Sequence, residues 1–331
     1  MRPLSCLEVE QRAYVDEREQ RARIAFLGPA GTFTEEALLT QSDYASAEIV
    51  PADTLSDVIE AVARSEASIG FVPIENSIEG TVNATMDSLV LDVDLLIQRE
   101  VVLDIHLCLL APSGSDLASI EEVASFPVAT AQCRRFLAEH LPEATLVATN
   151  STADAARIVG TERRPGTAAI APRLSADLYG LDVLAPGIED HPDNQTRFVA
   201  VASQGIPAPT GHDKTSIVCF QREDRPGNLH GILGQFAARN INLTKLESRP
   251  TKRALGEYCF VVDMDGHVAD AVVADCLRDL HAELAGVKFL GSYPAASPHA
   301  PALRKEAREA WAEADRWIES IRSQIHGVRR S

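Results

Sequence analysis

Ile69-Gly70-Phe71-Val72, followed by Pro73-Ile74-Glu75-Asn76-Ser77-Ile78-Glu79-Gly80-Thr81, runs from an apolar segment straight into hydrogen-bonding side chains. The apolar part reads as a buried strand. Glu75, Asn76, Ser77 and Thr81 then fall at its carboxyl end, where open α/β sheets bind ligands. Gly80 frees the backbone, and Thr81 is expected to open an apolar-periodic helix through Met86, Leu89 and Val90. Taken alone, the segment reads better as a polar strand-to-helix loop with an N-cap.

Working outward, Arg23 to Gly28 reads as a strand and Phe33 to Thr40 as a helix. Ile49-Val50 is a short strand, and a helix from Thr54 to Ser65 carries Leu55, Val58, Ile59 and Val62 on one face. This alternation indicates an α/β domain with a largely parallel sheet. Leu95 to Leu110 is a long extended stretch. A second α/β unit follows: a helix over about Thr130 to His140, a strand at Thr145 to Ala148, a helix from Thr152 and a strand at Ala168 to Ile170. Arg197 to Val201 is the last strand, directly after Asn194-Gln195-Thr196. Ser203 to Gly211 is punctuated by Pro and Gly and reads as a linker. Beyond it, Thr215 to Phe220, Asn228 to Arg239, Asn242 to Ser248, Glu257 to Met264, Ala269 to Leu284 and Val287 to Tyr293 give a ferredoxin-like βαββαβ order. After a break at Pro294 to Pro301, Leu303 to Ile325 reads as one amphipathic helix bearing Leu303, Trp311, Ile318, Ile321 and Ile325. That stripe either packs on its own domain or meets another subunit.

The formal net charge is −17. This argues against nucleic-acid binding, which wants a basic face. The six cysteines show no Cys-x-x-Cys spacing, and several sit in apolar patterns, so reduced thiols are expected. Glu8, Glu10, Asp16, Glu17 and Glu19 interrupt the first twenty residues, so neither a signal peptide nor an anchor is expected, and no apolar run reaches transmembrane length. A cytoplasmic protein is the expectation.

Pro73-Ile74-Glu75-Asn76-Ser77-Ile78-Glu79-Gly80 resembles the Pro-Ile-Glu-Asn-Ser-x-x-Gly block of prephenate dehydratases. Asn194 to Phe198 resembles their Thr-Arg-Phe signature, Glu247-Ser248-Arg249-Pro250 the effector motif of their ACT domain, and Gly28 to Thr34 a fourth block. The four occur in order across Arg23 to Tyr293. The resemblance implies a two-lobed, periplasmic-binding-protein-like catalytic domain over 22–205, its second lobe spanning roughly 103–189, with the active site in the cleft. A crossover between lobes is expected within Leu95 to Leu110, and the other near Asp190. An ACT regulatory domain over 213–294 and the C-terminal helix over 301–327 complete the chain. The segment before Arg23 is far too short for the chorismate mutase that some relatives carry, so a monofunctional enzyme is expected.

Prephenate carries a ring carboxylate, a pyruvyl carboxylate and a hydroxyl across the ring. Loss of water and carbon dioxide gives aromatic phenylpyruvate and needs no cofactor or metal, only general-acid assistance and orientation. The family's essential threonine maps onto Thr196, which could donate to the departing oxygen, with a relay through Glu75 or water. Without the flanking motif, Thr196 is simply a β-branched strand residue. Asn76 and Ser77 are neutral donors, and Asn76 aligns with an asparagine implicated in the family. Arg197 could pair bidentately with a substrate carboxylate, or tie down the cleft through Glu75 or Asp190. Phe198 and Thr81 complete the matched blocks. The Gly28 to Thr34 turn lacks a P-loop lysine, yet a helix opening at a glycine turn offers N–H groups to an anion, with Thr32 and Thr34 adding hydroxyls. One departure stands out. Relatives usually read Ser-His-Pro-Gln ahead of a Gln-Cys pair, whereas here Ser125-Phe126-Pro127-Val128 precedes Gln132-Cys133, leaving Gln132 as a site candidate.

In the ACT region, Gly227, Asn228, Leu229 and His230 with Glu247, Ser248, Arg249 and Pro250 should form an amino-acid pocket between paired domains, with phenylalanine the expected effector. A ligand-free dimerisation module is the alternative. The implied assembly is a homodimer or homotetramer. Arogenate dehydratase, or an amino-acid sensor on the same bilobal fold, are the competing functions.

Overall fold

The computed structural model describes residues 22–223, 225–252, 256–296, 312–313 and 316–323. The chain divides after Gly205 into two compact units. The strands in chain order are β1 (Arg23–Leu27), β2 (Glu48–Ala52), β3 (Ile69–Asn76), β4 (Gly80–Thr81) and β5 (Leu96–Asp104), then β6 (Cys108–Pro112), β7 (Glu122–Ser125), β8 (Thr145–Ala148), β9 (Thr167–Ala171) and β10 (Leu181–Ala185), then β11 (Gln195–Ala202).

The first lobe is built on the order β2-β1-β3-β11-β5, and the second on β10-β6-β9-β7-β8. β1 runs parallel to β2 and β3, while β11 enters antiparallel between β3 and β5. Both sheets are therefore mixed, where the alternating pattern suggested largely parallel ones. In the first lobe the apolar residues of β1, β3 and β11 (Ile24, Phe26, Phe71, Phe198) pack under the helix Phe33–Leu39. The helix Leu55–Ala63 is fixed at its start by a reciprocal capping box between Thr54 and Asp57.

The chain crosses between lobes twice. The extended stretch Leu95 to Leu110 is broken at 105–107, where the backbone leaves the first sheet for the second, and 186–194 brings it back. The two crossovers lie side by side: Ile105 N donates to Asn194 O at 2.8 Å and Ile188 N to Leu107 O at 2.9 Å. The buried Glu189 carboxylate joins them, accepting from Leu107 N at 2.8 Å and lying 2.9 Å from His106 Nδ1.

Two expected helices differ. The one expected from Thr130 begins at Pro127, whose fixed φ suits a first helical turn, and breaks at Gln132-Cys133 into Pro127–Ala131 and Arg134–His140. Thr81 does not open a helix: it pairs with Glu75 in β4, and the helix starts at Asn83.

The second unit is β12 (Asp213–Phe220), the helix Asn228–Ala237, β13 (Leu243–Pro250), β14 (Tyr258–Asp265), the helix Ala271–Glu283 and β15 (Gly286–Pro294). Its antiparallel order β13-β14-β12-β15 is the ferredoxin-like arrangement, with both helices packed on one face through Ile232, Phe236, Val273 and Leu280. Most of the C-terminal helix expected over 301–327 lies outside the described residues. Residues 316–322 are helical, with Trp317, Ile318 and Ile321 exposed. The described cysteines, Cys108, Cys133, Cys219, Cys259 and Cys276, are buried and form no disulfide with one another, and Cys6 lies outside the described residues. Among the described residues no helix is long and apolar enough to cross a membrane.

Candidate active site

The register of β3 against β11 assembles the site. Thr196 lies opposite Asn76, and Arg197 opposite Glu75. The Asn76 side chain is oriented by an Asx turn: its Oδ1 accepts from the backbone N–H of Ile78 and of Glu79, both at 2.9 Å. Its amide therefore faces β11 and donates to Thr196 Oγ1 at 2.9 Å, Asn194 Oδ1 at 2.9 Å and Gln195 O at 3.1 Å. Ser77 Oγ accepts from Gln195 N at 2.9 Å and donates to Asn194 Oδ1 at 3.3 Å. Gln132 joins from the second lobe, its Oε1 accepting from Asn194 Nδ2 at 3.2 Å and its Nε2 donating to Glu79 Oε1 at 3.4 Å.

Thr196 is 9% exposed and its oxygen accepts from Asn76. No acceptor for its own O–H is found among the described residues, so that proton is left for a ligand. Accepting one hydrogen bond strengthens a hydroxyl as donor of the next.

Adjacent strand residues project to opposite faces, so Arg197 and Glu75 lie across the sheet from Thr196 and Asn76. Arg197 Nη1 is 3.3 Å from Glu75 Oε2 and its Nε is 2.6 Å from Glu100 Oε2. The Glu100 side chain is 1% exposed. Arg197 thus ties β3, β11 and β5 together, the second of the two roles left open for it, through Glu75 and Glu100; Asp190 pairs with Arg135 instead. A direct relay from Glu75 to Thr196 does not fit this arrangement. Thr81, paired with Glu75, belongs to the same face.

The Gly28 to Thr34 turn is also rearranged relative to expectation. Thr32 caps the helix, accepting from Glu35 N at 3.3 Å and donating to Leu27 O at 3.0 Å. The Glu35 carboxylate takes Gly31 N, so this N–H is not open to a substrate anion. Gly31 has φ +90°, and a Cβ there would lie 2.7 Å from Ser175 Oγ. Only glycine lets the turn meet the second lobe this closely, where Ser175 donates to Gly31 O and Tyr179 to Ala30 O. Thr34 is buried at this junction with no side-chain hydrogen bond among the described residues. Phe198 stands apart from the polar group: it is 1% exposed and stacked on Phe71 at 5.7 Å, a core residue rather than a substrate contact.

Two residues escaped sequence reasoning. Asn194 sat in a motif already quoted but carried no role. Glu100 gave no local signal, because its partner lies far away in sequence. Burial pushes the Cys133 thiol far up, with Glu189 and Asp190 adding to the effect, so it is no nucleophile. Burial also raises the Glu36 carboxyl, partly opposed by His106. Among the described residues no group of three His, Cys, Asp or Glu side chains is placed to hold a metal.

The profile of the prephenate dehydratase family matches residues 24–205, more than half the chain. The chain belongs to the prephenate dehydratase family. It is 44% identical to a prephenate dehydratase of Mycolicibacterium vanbaalenii over 285 residues, covering 82% of this chain and 90% of that one. The crystal structure of the Arthrobacter aurescens prephenate dehydratase in complex with L-Phe superposes with a TM-score of 0.80 at 41% identity, over 91% of this chain and all of that one. A protein described as a novel type of quorum-quenching acylase shares the fold at 30% identity and TM-score 0.74, over 83% of this chain and 98% of that one.

The ACT domain profile matches residues 215–282 of this family member. Gly227 holds φ +91° at the N-cap of the helix Asn228–Ala237, and a side chain there would meet nothing within 4 Å. Asn228 Nδ2 donates to Gln221 Oε1 at 3.0 Å, so its side chain is committed to the loop. Leu229 and His230 are exposed on the first turn. Strand alternation splits the other four candidates. Ser248 pairs with Phe260 and Pro250 with Tyr258 on the helix-bearing face, whereas Glu247 and Arg249 pair with Val261 and Cys259 on the other. There Glu247 bridges Arg249 at 2.6 Å and Lys245 at 3.5 Å. The eight residues therefore do not converge on one pocket within a single domain.

Proposed function

We propose that this chain is a prephenate dehydratase whose general-acid contact is the Thr196 hydroxyl. The observation that carries this is the Asn76–Thr196 hydrogen bond, which spends the threonine oxygen as acceptor and leaves its proton for the cleft. As the ring carboxylate leaves as carbon dioxide, the electron pair of its C–C bond enters the ring and the C–O bond to the hydroxyl breaks. The departing oxygen takes up a proton and leaves as water, and the ring becomes aromatic. Thr196 stabilises the charge growing on that oxygen, and water returns the proton. With Arg197 committed to two carboxylates, substrate anions are held by neutral donors, among which the Thr34 hydroxyl is uncommitted.

The catalytic domain is assigned to 22–205 and the ACT domain to 213–294. Phenylalanine is the proposed feedback effector, supported by the ACT match and by the L-Phe bound to the Arthrobacter relative. The exposed Gly227–His230 junction and the helix-face residues Ser248 and Pro250 are its proposed contacts. We assign a cytoplasmic homodimer or homotetramer, since the pocket needs two ACT domains to be complete. The deciding experiment is steady-state turnover of prephenate against arogenate, read as phenylpyruvate absorbance in alkali. Preferred turnover of prephenate supports the proposal. A folded protein that releases no phenylpyruvate overturns it, and faster turnover of arogenate reassigns the substrate.

A further inference from the structure

We infer that Asn194 is a positioning residue through which the second lobe sets the direction of the Thr196 hydroxyl. This rests on the assignment of Thr196 as the general-acid contact. The inference comes from the polarity of a ring formed by the side chains of Asn76, Asn194, Gln132 and Glu79 and closed by the Glu79 backbone N–H on Asn76 Oδ1.

Side-chain amides have two ends that differ only in hydrogen-bonding sense, so their direction must be argued from fixed neighbours. Here both ends of the ring are fixed. Asn76 Oδ1 is held by the backbone N–H groups of Ile78 and Glu79, so Asn76 can only donate towards Asn194 and Thr196. The Glu79 carboxylate can only accept, so Gln132 presents Nε2 to it and Oε1 to Asn194. Asn194 then has a single consistent orientation, Nδ2 towards Gln132 and Oδ1 towards Asn76. Turning it over would set donor against donor on one side and acceptor against acceptor on the other. Asn194 is 1% exposed, where such a mismatch finds no water to relieve it.

Gln132 is the one member of this ring from the second lobe, and it stands at the break between two short helices. Asn194 stands on the returning crossover, its backbone oxygen accepting from Ile105 of the other crossover. The ring is therefore complete only when the lobes are together. Completing it holds Asn194 Oδ1 in place beside Gln195 O as an acceptor for the Asn76 amide, which the Asx turn already points at β11, and so sets the angle at which that amide donates to Thr196.

The test exploits the polarity. Asn194→Asp keeps the shape and the acceptor for Asn76 but cannot donate to Gln132. Gln132 can turn over to donate, but its oxygen then faces the Glu79 carboxylate. Glu79→Gln supplies the missing donor and returns the net charge to that of the parent chain. Asn194→Asp should lower kcat about 100-fold with KM changed only a few-fold, and Glu79→Gln alone should cost about 3-fold. The double variant should regain at least about 10-fold over Asn194→Asp, within the coupling measured between residues of one hydrogen-bond network. If Asn194→Asp does not fold, Gln132→Glu serves the same purpose: it faces Glu79 with a second carboxylate and should be rescued by the same Glu79→Gln. A residue that merely packs gives no remote rescue, so multiplied losses in the double variant overturn the inference. Turnover of prephenate by the unaltered protein tests the parent assignment separately.

Discussion

Replacing Thr196 by valine keeps the β-branched shape and deletes the hydroxyl. The structural cost should be small. Asn76 retains Asn194 Oδ1 and Gln195 O as acceptors, so no buried amide is orphaned. The loss is one neutral hydrogen bond, about 0.5–1.5 kcal/mol, or a melting shift of about 1–6 °C. The catalytic cost should be far larger. A positioned acid is worth about 10²–10⁴ in rate, equivalent to about 2.7–5.4 kcal/mol of barrier. Because the contact strengthens only as charge grows on the departing oxygen, kcat should carry the loss while KM stays within a few-fold. Phenylpyruvate release in alkali measures both. Thr196→Ser restores the O–H and should return activity to within about tenfold of the parent. A folded Thr196→Val protein with near-normal kcat would refute the reasoning.

Further outcomes follow from the same geometry. Phenylalanine should inhibit the full chain, whereas a chain ending at Gly205 should be active and insensitive. An effect of about 5- to 150-fold on apparent affinity is the range expected for such coupling, and full sensitivity in the shortened chain places the effector elsewhere. Glu100→Gln should destabilise by about 2–4 kcal/mol in urea titrations, since it removes the buried carboxylate paired with the Arg197 guanidinium. An unchanged midpoint rules out the three-strand tie. Burial raises the folded-state Glu36 carboxyl above its unfolded value, so the folded protein holds this proton to higher pH and loses stability as pH climbs through that window. Glu36→Gln should therefore be more stable than the parent at pH 7 and no more stable below pH 4. Melting curves at the two pH values check the sign.

The legible parts of the fold were those with strong local periodicity. The ferredoxin-like order was readable because β12 and β14 carry apolar runs, Ile217 to Phe220 and Cys259 to Val262, between breaks and amphipathic helices, and the helix Leu55–Ala63 because its apolar face and Thr54 cap are contiguous. β7, β10 and the helix Arg173–Tyr179 were missed: strands of four or five residues with mild alternation, such as Leu181 to Ala185, give no period to measure, and a helix of seven residues spans only about two turns. The site was legible as a set of motifs, but not in its division between faces. A matched block names neighbours in sequence, whereas a strand sends them to opposite sides. That is why Thr196 parted from Arg197, and Ser248 from Glu247 and Arg249; Phe198 shares the face of Thr196 but lies two residues deeper, in the core. Glu100 and the polarity of the Asn194 ring depend on long-range pairing, which no local window contains.

The place of β11 in the first sheet bears on how the molecule is made. This strand separates β3 from β5, yet it is synthesised only after the whole second lobe. Until about residue 202 has left the ribosome, β3 and β5 have no partner between them and the first sheet stays open at its centre. The second lobe, by contrast, is one continuous segment, and domains generally fold as units during synthesis. The natural order of events is thus for the inserted lobe to fold first and the outer one to close around its last strand. Thr196 arrives with that closing strand, so no shorter nascent chain contains a working site, and a premature stop between β5 and β11 leaves the facing edges of β3 and β5 exposed and ready to pair with other molecules.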